Sequence, residues 1–202
     1  AQIRDQVLAS FAESIKTYGL DQTYVLAPQR RFETKDGKIT TKTLLSTAAL
    51  NPLLRDIANP STDGKTHRKY NGKAYRVGDR VINLKNDEDV MNGDIGYIKE
   101  LIAGETPAII VDFDGNEIEF GSDRFKNLDW AYAITVHKSQ GSEYDSVIYP
   151  SCMTQAVMLR RNLLYTAVTR AKKSVTLIGS RNSINKAIST VGAKQKRDLL
   201  AA

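Results

Sequence analysis

One cysteine, two histidines and one tryptophan stand among 202 residues. Cys152 has no second cysteine to pair with, which excludes an internal disulfide and fits a reducing compartment. So few sulfur and imidazole groups also exclude an ordinary structural zinc site. No apolar run approaches the roughly 20 residues that a membrane-spanning helix needs. The opening Ala1-Gln2-Ile3-Arg4-Asp5 carries no signal-peptide pattern. It also carries no initiator Met, and the expectation is a piece of a longer chain. No internal repeat or low-complexity segment is present.

What is there reads as globular. The hydrophobic fraction of 41% suits a protein with a real core, and the length suits one moderate domain plus a small one. A net charge of +6 is compatible with a polyanionic partner without requiring one.

Helical spacing of Ile3, Val7, Leu8, Phe11, Ile15 and Tyr18 predicts an amphipathic helix that stops at Gly19. Tyr24 to Ala27 reads as a short strand. Leu44 to Ile57 reads as helical, with Asn51-Pro52 interrupting it, and 59–71 reads as a loop. From Tyr75 the pattern changes to short strands and frequent turns. Asp114-Gly115 between Val111-Asp112-Phe113 and Ile118-Glu119-Phe120 is a strong hairpin signal, because that turn needs positive φ. After Trp130 an α/β pattern resumes. Strands are expected at 131–135, 146–149 and 175–178, the last of them buried. Val157, Leu163, Leu164, Ala167, Val168 and Ala171 are expected on one helical face. A final helix is capped by Ser180 or Asn182. The expected fold is α/β, a parallel sheet flanked by helices, formed by 1–74 with 131–202. A small all-β barrel at 75–130 interrupts it.

Three stretches bear on chemistry. Gly64-Lys65-Thr66 resembles the end of a phosphate-binding loop, but the required earlier glycine, preceding strand and following helix are missing, so a polar loop fits better. The acidic pair that would hold Mg²⁺ on a strand is missing too. The second stretch is Ala131 to Glu143, an apolar strand that turns abruptly polar. Thr135 can end the strand and cap the next turn, His137, Lys138, Ser139 and Gln140 supply donors, Gly141 permits a close backbone approach, and Glu143 offers a carboxylate. The third is Asn162 to Lys173, a helix whose C-terminal end carries Arg170, Lys172 and Lys173. The dipole favours cations there, so plain capping accounts for the charge. In the β region, Arg76, Arg80 and Lys85 could line a nucleic-acid face, with ordinary solvated charge as the alternative.

The stretches Tyr132 to Glu143 and Leu164 to Lys172 resemble motifs V and VI of superfamily 1 helicases, and more closely the RecD/TraA-type branch. Gly78-Asp-Arg-Val-Ile82 followed by Asn92-Gly-Asp-Ile-Gly96 resembles the SH3-like β insertion of that branch. Tyr24 to Arg31 resembles motif IV. The resemblance implies the second of two RecA-like lobes, with ATP and Mg²⁺ held mainly by the first, N-terminal lobe. It implies that Arg170 is an arginine finger, a permanently charged fork for phosphate oxygens. Arg30 or Arg31 would be a second phosphate contact, Gln140 and Gly141 would face the phosphates, and Glu143 would bind ribose hydroxyls. Thr135, His137 and Lys138 would touch a single-stranded DNA backbone. For His137 a satisfied core histidine is the equal alternative. Recombination or repair subunits are implied as partners, in the cytoplasm of a bacterial or phage-infected cell, with no membrane. Competing readings are a non-catalytic nucleic-acid-binding module, which would need neither Arg170 nor Glu143, and a fragment of a relaxase or recombination nuclease complex.

Overall fold

Residues 2–30, 44–61, 67–70 and 72–191 are described by the computed structural model. The elements run α1 (Gln2–Tyr18), β1 (Thr23–Ala27), α2 (Thr47–Ala58), β2 (His67–Tyr70), β3 (Lys73–Arg76), β4 (Arg80–Asn83), β5 (Ile95–Ile102), β6 (Ala108–Phe113) and β7 (Asn116–Gly121). They continue with β8 (Leu128–Trp130), β9 (Ala133–Thr135), β10 (Tyr144–Ser151), α3 (Arg161–Val168), β11 (Ala171–Gly179) and α4 (Arg181–Ser189). Two compact units result, Ala1–Ala49 with Ile134–Ala202, and Leu50–Ala133.

The first unit is built on a four-stranded sheet of order β11-β10-β1-β9, in which β10 runs parallel to both β1 and β11. Its strands come from both sides of the intervening β unit, so the parallel sheet is discontinuous in sequence. Val25, Leu26, Ala27, Val147 and Ile148 are fully buried, as strands covered on both faces require. The helix α1 buries Val7, Phe11 and Ser14, and the Ser146 hydroxyl of β10 donates to that of Ser14 at 3.2 Å. Gly19, at φ +80°, ends the helix and donates its N–H to Ile15 O.

Two expectations in this unit fail for identifiable reasons. Strand β11 is buried only at Ile178: it is the sheet edge, and Val175 and Leu177 are partly exposed. The helical face expected from Val157 to Ala171 is broken. Val157 lies in a 3-10 segment, Met153–Met158, and Ala171 already belongs to β11. Helix α4 does begin as expected, with the Ser180 hydroxyl accepting from Ser183 N.

Pro52 does not interrupt α2. It removes one helical N–H, but Ala48, whose carbonyl would have accepted it, is exposed to water. Asn51 is committed elsewhere. Its amide donates to Trp130 O and Ala133 O at 2.8 and 3.0 Å, and its oxygen accepts from Ala133 N. Arg55 likewise donates to Ala74 O. These bonds explain why the second unit begins at Leu50, upstream of the Tyr75 join that the pattern change indicates.

The second unit is an antiparallel sheet of order β7-β6-β5-β4-β8, with β2 and β3 as a separate hairpin. The β6–β7 turn is as expected: Asp114 and Gly115 sit at φ +52° and +89°, with Phe113 paired to Asn116. The β2–β3 hairpin falls partly where a loop was expected. Tyr70 stacks on Phe125 at 4.2 Å and its hydroxyl donates to Ile102 O, which supplies the packing that its polar strands lack. Gly96 lies against Asp112 O, Phe113 and Val111, where a Cβ would collide with backbone. Gly96→Ala is therefore expected to destabilise this unit by about 1–3 kcal/mol. Urea unfolding followed by Trp130 fluorescence would measure it, and an unchanged midpoint would refute the crowding.

At the base of this sheet sits a buried polar cluster. Asp79 is fully buried and accepts from Arg76 N at 2.9 Å, Asn59 Nδ2 at 2.9 Å, Trp130 Nε1 at 3.2 Å and the Tyr132 hydroxyl at 3.3 Å. The guanidiniums of Arg55 and Arg80 lie over Trp130 and Tyr132, at 4.8 and 5.3 Å from the ring centroids. Arg80 is 0% exposed and Arg76 is tied to Asp56 and Asn59 O, so neither forms the nucleic-acid face considered for them. Of the three, only Lys85 is exposed.

Candidate functional site

The segment after β9 folds as a 3-10 turn, Val136–Ser139, because its apolar and small residues recur three apart. Side chains at i and i+3 eclipse in such a turn. Val136 and Ser139 therefore point inward together, with Ser139 Oγ donating to Val136 O at 2.8 Å. His137 is left exposed and Lys138 half-buried, so His137 is not a core histidine. Thr135 occupies the N-cap position in extended conformation, but its hydroxyl makes no capping bond. That corrects the capping expectation and leaves the hydroxyl uncommitted to the turn.

Gln140, Gly141, Ser142 and Glu143 come next, all exposed, and lead into β10. Gly141 has φ +87° with open space around it, so the backbone conformation, rather than crowding, calls for glycine. This loop meets the end of α3. Arg170 leaves the helix after Thr169, and its carbonyl accepts from Tyr144 N at 2.8 Å. Its Nη1 donates to Ser142 O at 3.1 Å, while its Nε is buried with no hydrogen-bond partner among the described residues. Arg170 and the backbone that carries Glu143 are thus held side by side at the amino ends of β10 and β11.

Strand register makes this meeting. Tyr144 pairs with Ala171 but Ser146 pairs with Ser174, so β11 carries one extra residue directly after the arginine. Such a bulge re-aims side chains. Here Lys173 reaches Asp145 Oδ2 at 2.7 Å. The hydrogen bond and charge of Asp145 raise the Lys173 pKa. Sequence reading missed this pair and the Ser142 carbonyl; an acid opposite a Lys-Lys doublet was the available signal.

Arg30 is not brought to this end. It follows Pro28 beyond the carboxyl end of β1, where the carbonyls of Gln29 and Arg30 accept from Thr47 N and Ala48 N. Parallel strands place that end about 20 Å along the strand direction from Arg170. Arg31 lies outside the described residues, as does Gly64-Lys65-Thr66. A cleft of about 290 Å³ near Arg4, Leu45, Cys152 and Thr154 is lined by none of the candidate residues. Among the described residues no group of three or more His, Cys, Asp or Glu could hold a metal, and no helix is long and apolar enough to cross a membrane.

Comparison with known proteins matches both units. Residues 130–178 match the UvrD-like helicase C-terminal domain, and residues 50–113 match the ATP-dependent RecD-like DNA helicase SH3 domain. The latter match begins where the second compact unit begins. The ATP-dependent RecD2 DNA helicase of Deinococcus radiodurans is 38% identical over 136 residues, 66% of this chain and 18% of that protein. RecBCD enzyme subunit RecD of Mycobacterium tuberculosis is 40% identical over 101 residues, 49% of this chain and 17% of that protein. Conjugal transfer protein TraA of Agrobacterium fabrum is 34% identical over 119 residues, 57% of this chain and 10% of that protein. The chain therefore spans less than a fifth of the length of each of these relatives. The two matched segments are similar to the UvrD-like helicase C-terminal domain and to the RecD-like DNA helicase SH3 domain, and with the RecD2, RecD and TraA relatives they are consistent with a C-terminal piece of a RecD/TraA-type helicase.

Proposed function

We propose that this chain is the second motor lobe of an ATP-dependent DNA helicase or translocase, working against a lobe that holds the nucleotide. The observation that carries the reading is the placement of Arg170 beside the Glu143 loop at one end of the parallel sheet. Arg170 would stabilise charge on the terminal phosphate, and its buried, unpartnered Nε suits an anion. Gln140 and Gly141 would approach the phosphates, and Glu143 would accept from ribose hydroxyls. No residue of this chain is assigned to Mg²⁺. Thr135, His137 and Lys138 would grip phosphates of single-stranded DNA, since the turn directs His137 outward and leaves Lys138 half-accessible. Arg30 emerges too far away to share a phosphate with Arg170, so no nucleotide contact is assigned to it. Nucleotide contacts on 140–143 and strand contacts on 135–138 lie on one continuous segment, which is how closure around the nucleotide would reach the strand grip. Recombination or repair subunits remain the expected partners of the whole assembly.

The isolated chain is expected to release no phosphate from ATP, with or without single-stranded DNA, because it carries no phosphate-binding loop of its own. Steady-state phosphate release by the purified chain measures this. DNA-stimulated turnover above the blank would sink the two-lobe reading.

A further inference from the structure

We infer that the outer face formed by the 3-10 segment Met153–Met158, α3 and α4 is a docking surface for an acidic, amphipathic protein segment. From Ser146 to Val191 there is no Asp or Glu, while seven Lys or Arg occur there. Within that acid-free stretch, hydrogen bonds gather one face. Arg161 N and Nε donate to Thr190 O and Ile188 O at 2.8 and 2.7 Å, tying the start of α3 to the end of α4. Arg160 Nε donates to Val157 O at 3.3 Å. Val157, Arg160, Arg161, Ile188 and Val191 therefore lie together, with Tyr165 one helical turn along α3.

The apolar members are not packed. Val157 is 78% exposed, Tyr165 69%, Val191 66% and Ile188 49%. Contiguous exposed apolar groups among charges mark interaction sites rather than ordinary surface. Among the described residues neither Arg160 nor Arg161 is in an ion pair. Each guanidinium is held through Nε to a carbonyl, which preorganises it and lowers the entropy cost of meeting a carboxylate.

The chemistry favours protein over nucleic acid as the occupant. Bases need planar platforms, and three of the four exposed apolar side chains are aliphatic. Branched aliphatics are matched by apolar residues at i, i+3 and i+4 of an amphipathic segment, and the two arginines by its acids. A second copy of this chain fits poorly, because a two-fold contact pairs this acid-free face with itself and offers Arg160 and Arg161 no carboxylate from that stretch.

The test is a random dodecapeptide display library selected on the 202-residue chain. Enriched peptides are expected to combine Asp or Glu with large apolar residues. The best of them should bind at least about tenfold more weakly to Val157→Ser and to Arg160→Glu, with unchanged melting. Arg161 is left intact because it ties α3 to α4. The inference falls if no peptide is enriched, if enriched peptides lack acids, or if neither variant weakens them. It also falls if Arg160→Glu weakens a poly-dT oligonucleotide by the same factor, which would give the face to nucleic acid. A dimer in sedimentation that Val157→Ser dissolves would give it to a second copy.

Discussion

Replacing Arg170 with alanine is expected to lower ATP turnover by about 10³-fold or more, in any assembly that sets this lobe against a nucleotide-holding one. The reason is geometric and electrostatic together. A guanidinium stays charged at any working pH and offers two parallel donors, so it can follow charge as it spreads over the phosphate oxygens. Arg170→Lys should recover only part of the loss, because an ammonium cannot fork. Single-strand affinity should change little, since the strand contacts are assigned to 135–138. Stability should change little as well: the side chain is partly exposed, and among the described residues its hydrogen bond is to the Ser142 carbonyl. Turnover, oligonucleotide anisotropy and a melting curve on the same preparation separate these effects. Equal losses in turnover and strand binding, or a large drop in melting temperature, would make Arg170 structural and remove the finger assignment.

Asp79→Ala should unfold the antiparallel unit at a much lower temperature while sparing the parallel-sheet unit. Four donors converge on the Asp79 carboxylate inside the protein, from Arg76, Asn59, Trp130 and Tyr132. Removing the acceptor leaves them buried and unsatisfied beside the Arg55 and Arg80 charges, at a cost on the order of 3–5 kcal/mol. For a unit of this size that corresponds to a melting drop of roughly 12 °C or more. Trp130 is the only tryptophan and belongs to the cluster, so its fluorescence reports on this unit. A drop of only a few degrees would mean water replaces the carboxylate.

The same group has a pH signature. Burial raises the Asp79 pKa, against the lowering effect of its hydrogen bonds. The folded protein therefore keeps this proton to higher pH than the unfolded chain does. Its stabilising contribution is complete below the unfolded pKa, falls as pH rises through the raised folded value, and is level above it. Asp79→Asn should remove that fall in mildly acidic solution. A variant whose stability follows the same pH slope as the parent would contradict the assignment.

How much of this was legible in the chain varies by element. Helix α1 and the Asp114-Gly115 hairpin were, because periodicity and positive-φ turns are local properties. The β2–β3 hairpin was not, although Asn71-Gly72 is itself a turn signal. Its strands are largely polar and are held by Tyr70 on Phe125 and by the Tyr75 hydroxyl on Leu128 O, both distant in sequence. Arg80 reads as surface charge in the sequence and is sealed in the core, because Tyr132 covers it with its ring.

Residue types determined the rest only up to a point. A polar loop after a short strand and an arginine at a helix end were evident from the chain itself, as was the alternation of an α/β pattern with a β insertion. Which of those groups meet was decided by strand pairing. The β10–β11 register, with its extra residue, sets Arg170 against the Ser142 carbonyl, while parallel strands carry Arg30 to the opposite end of the sheet. Side-chain chemistry is written one residue at a time, but proximity between residues far apart in the chain depends on registers and sheet orders that only the packed fold specifies.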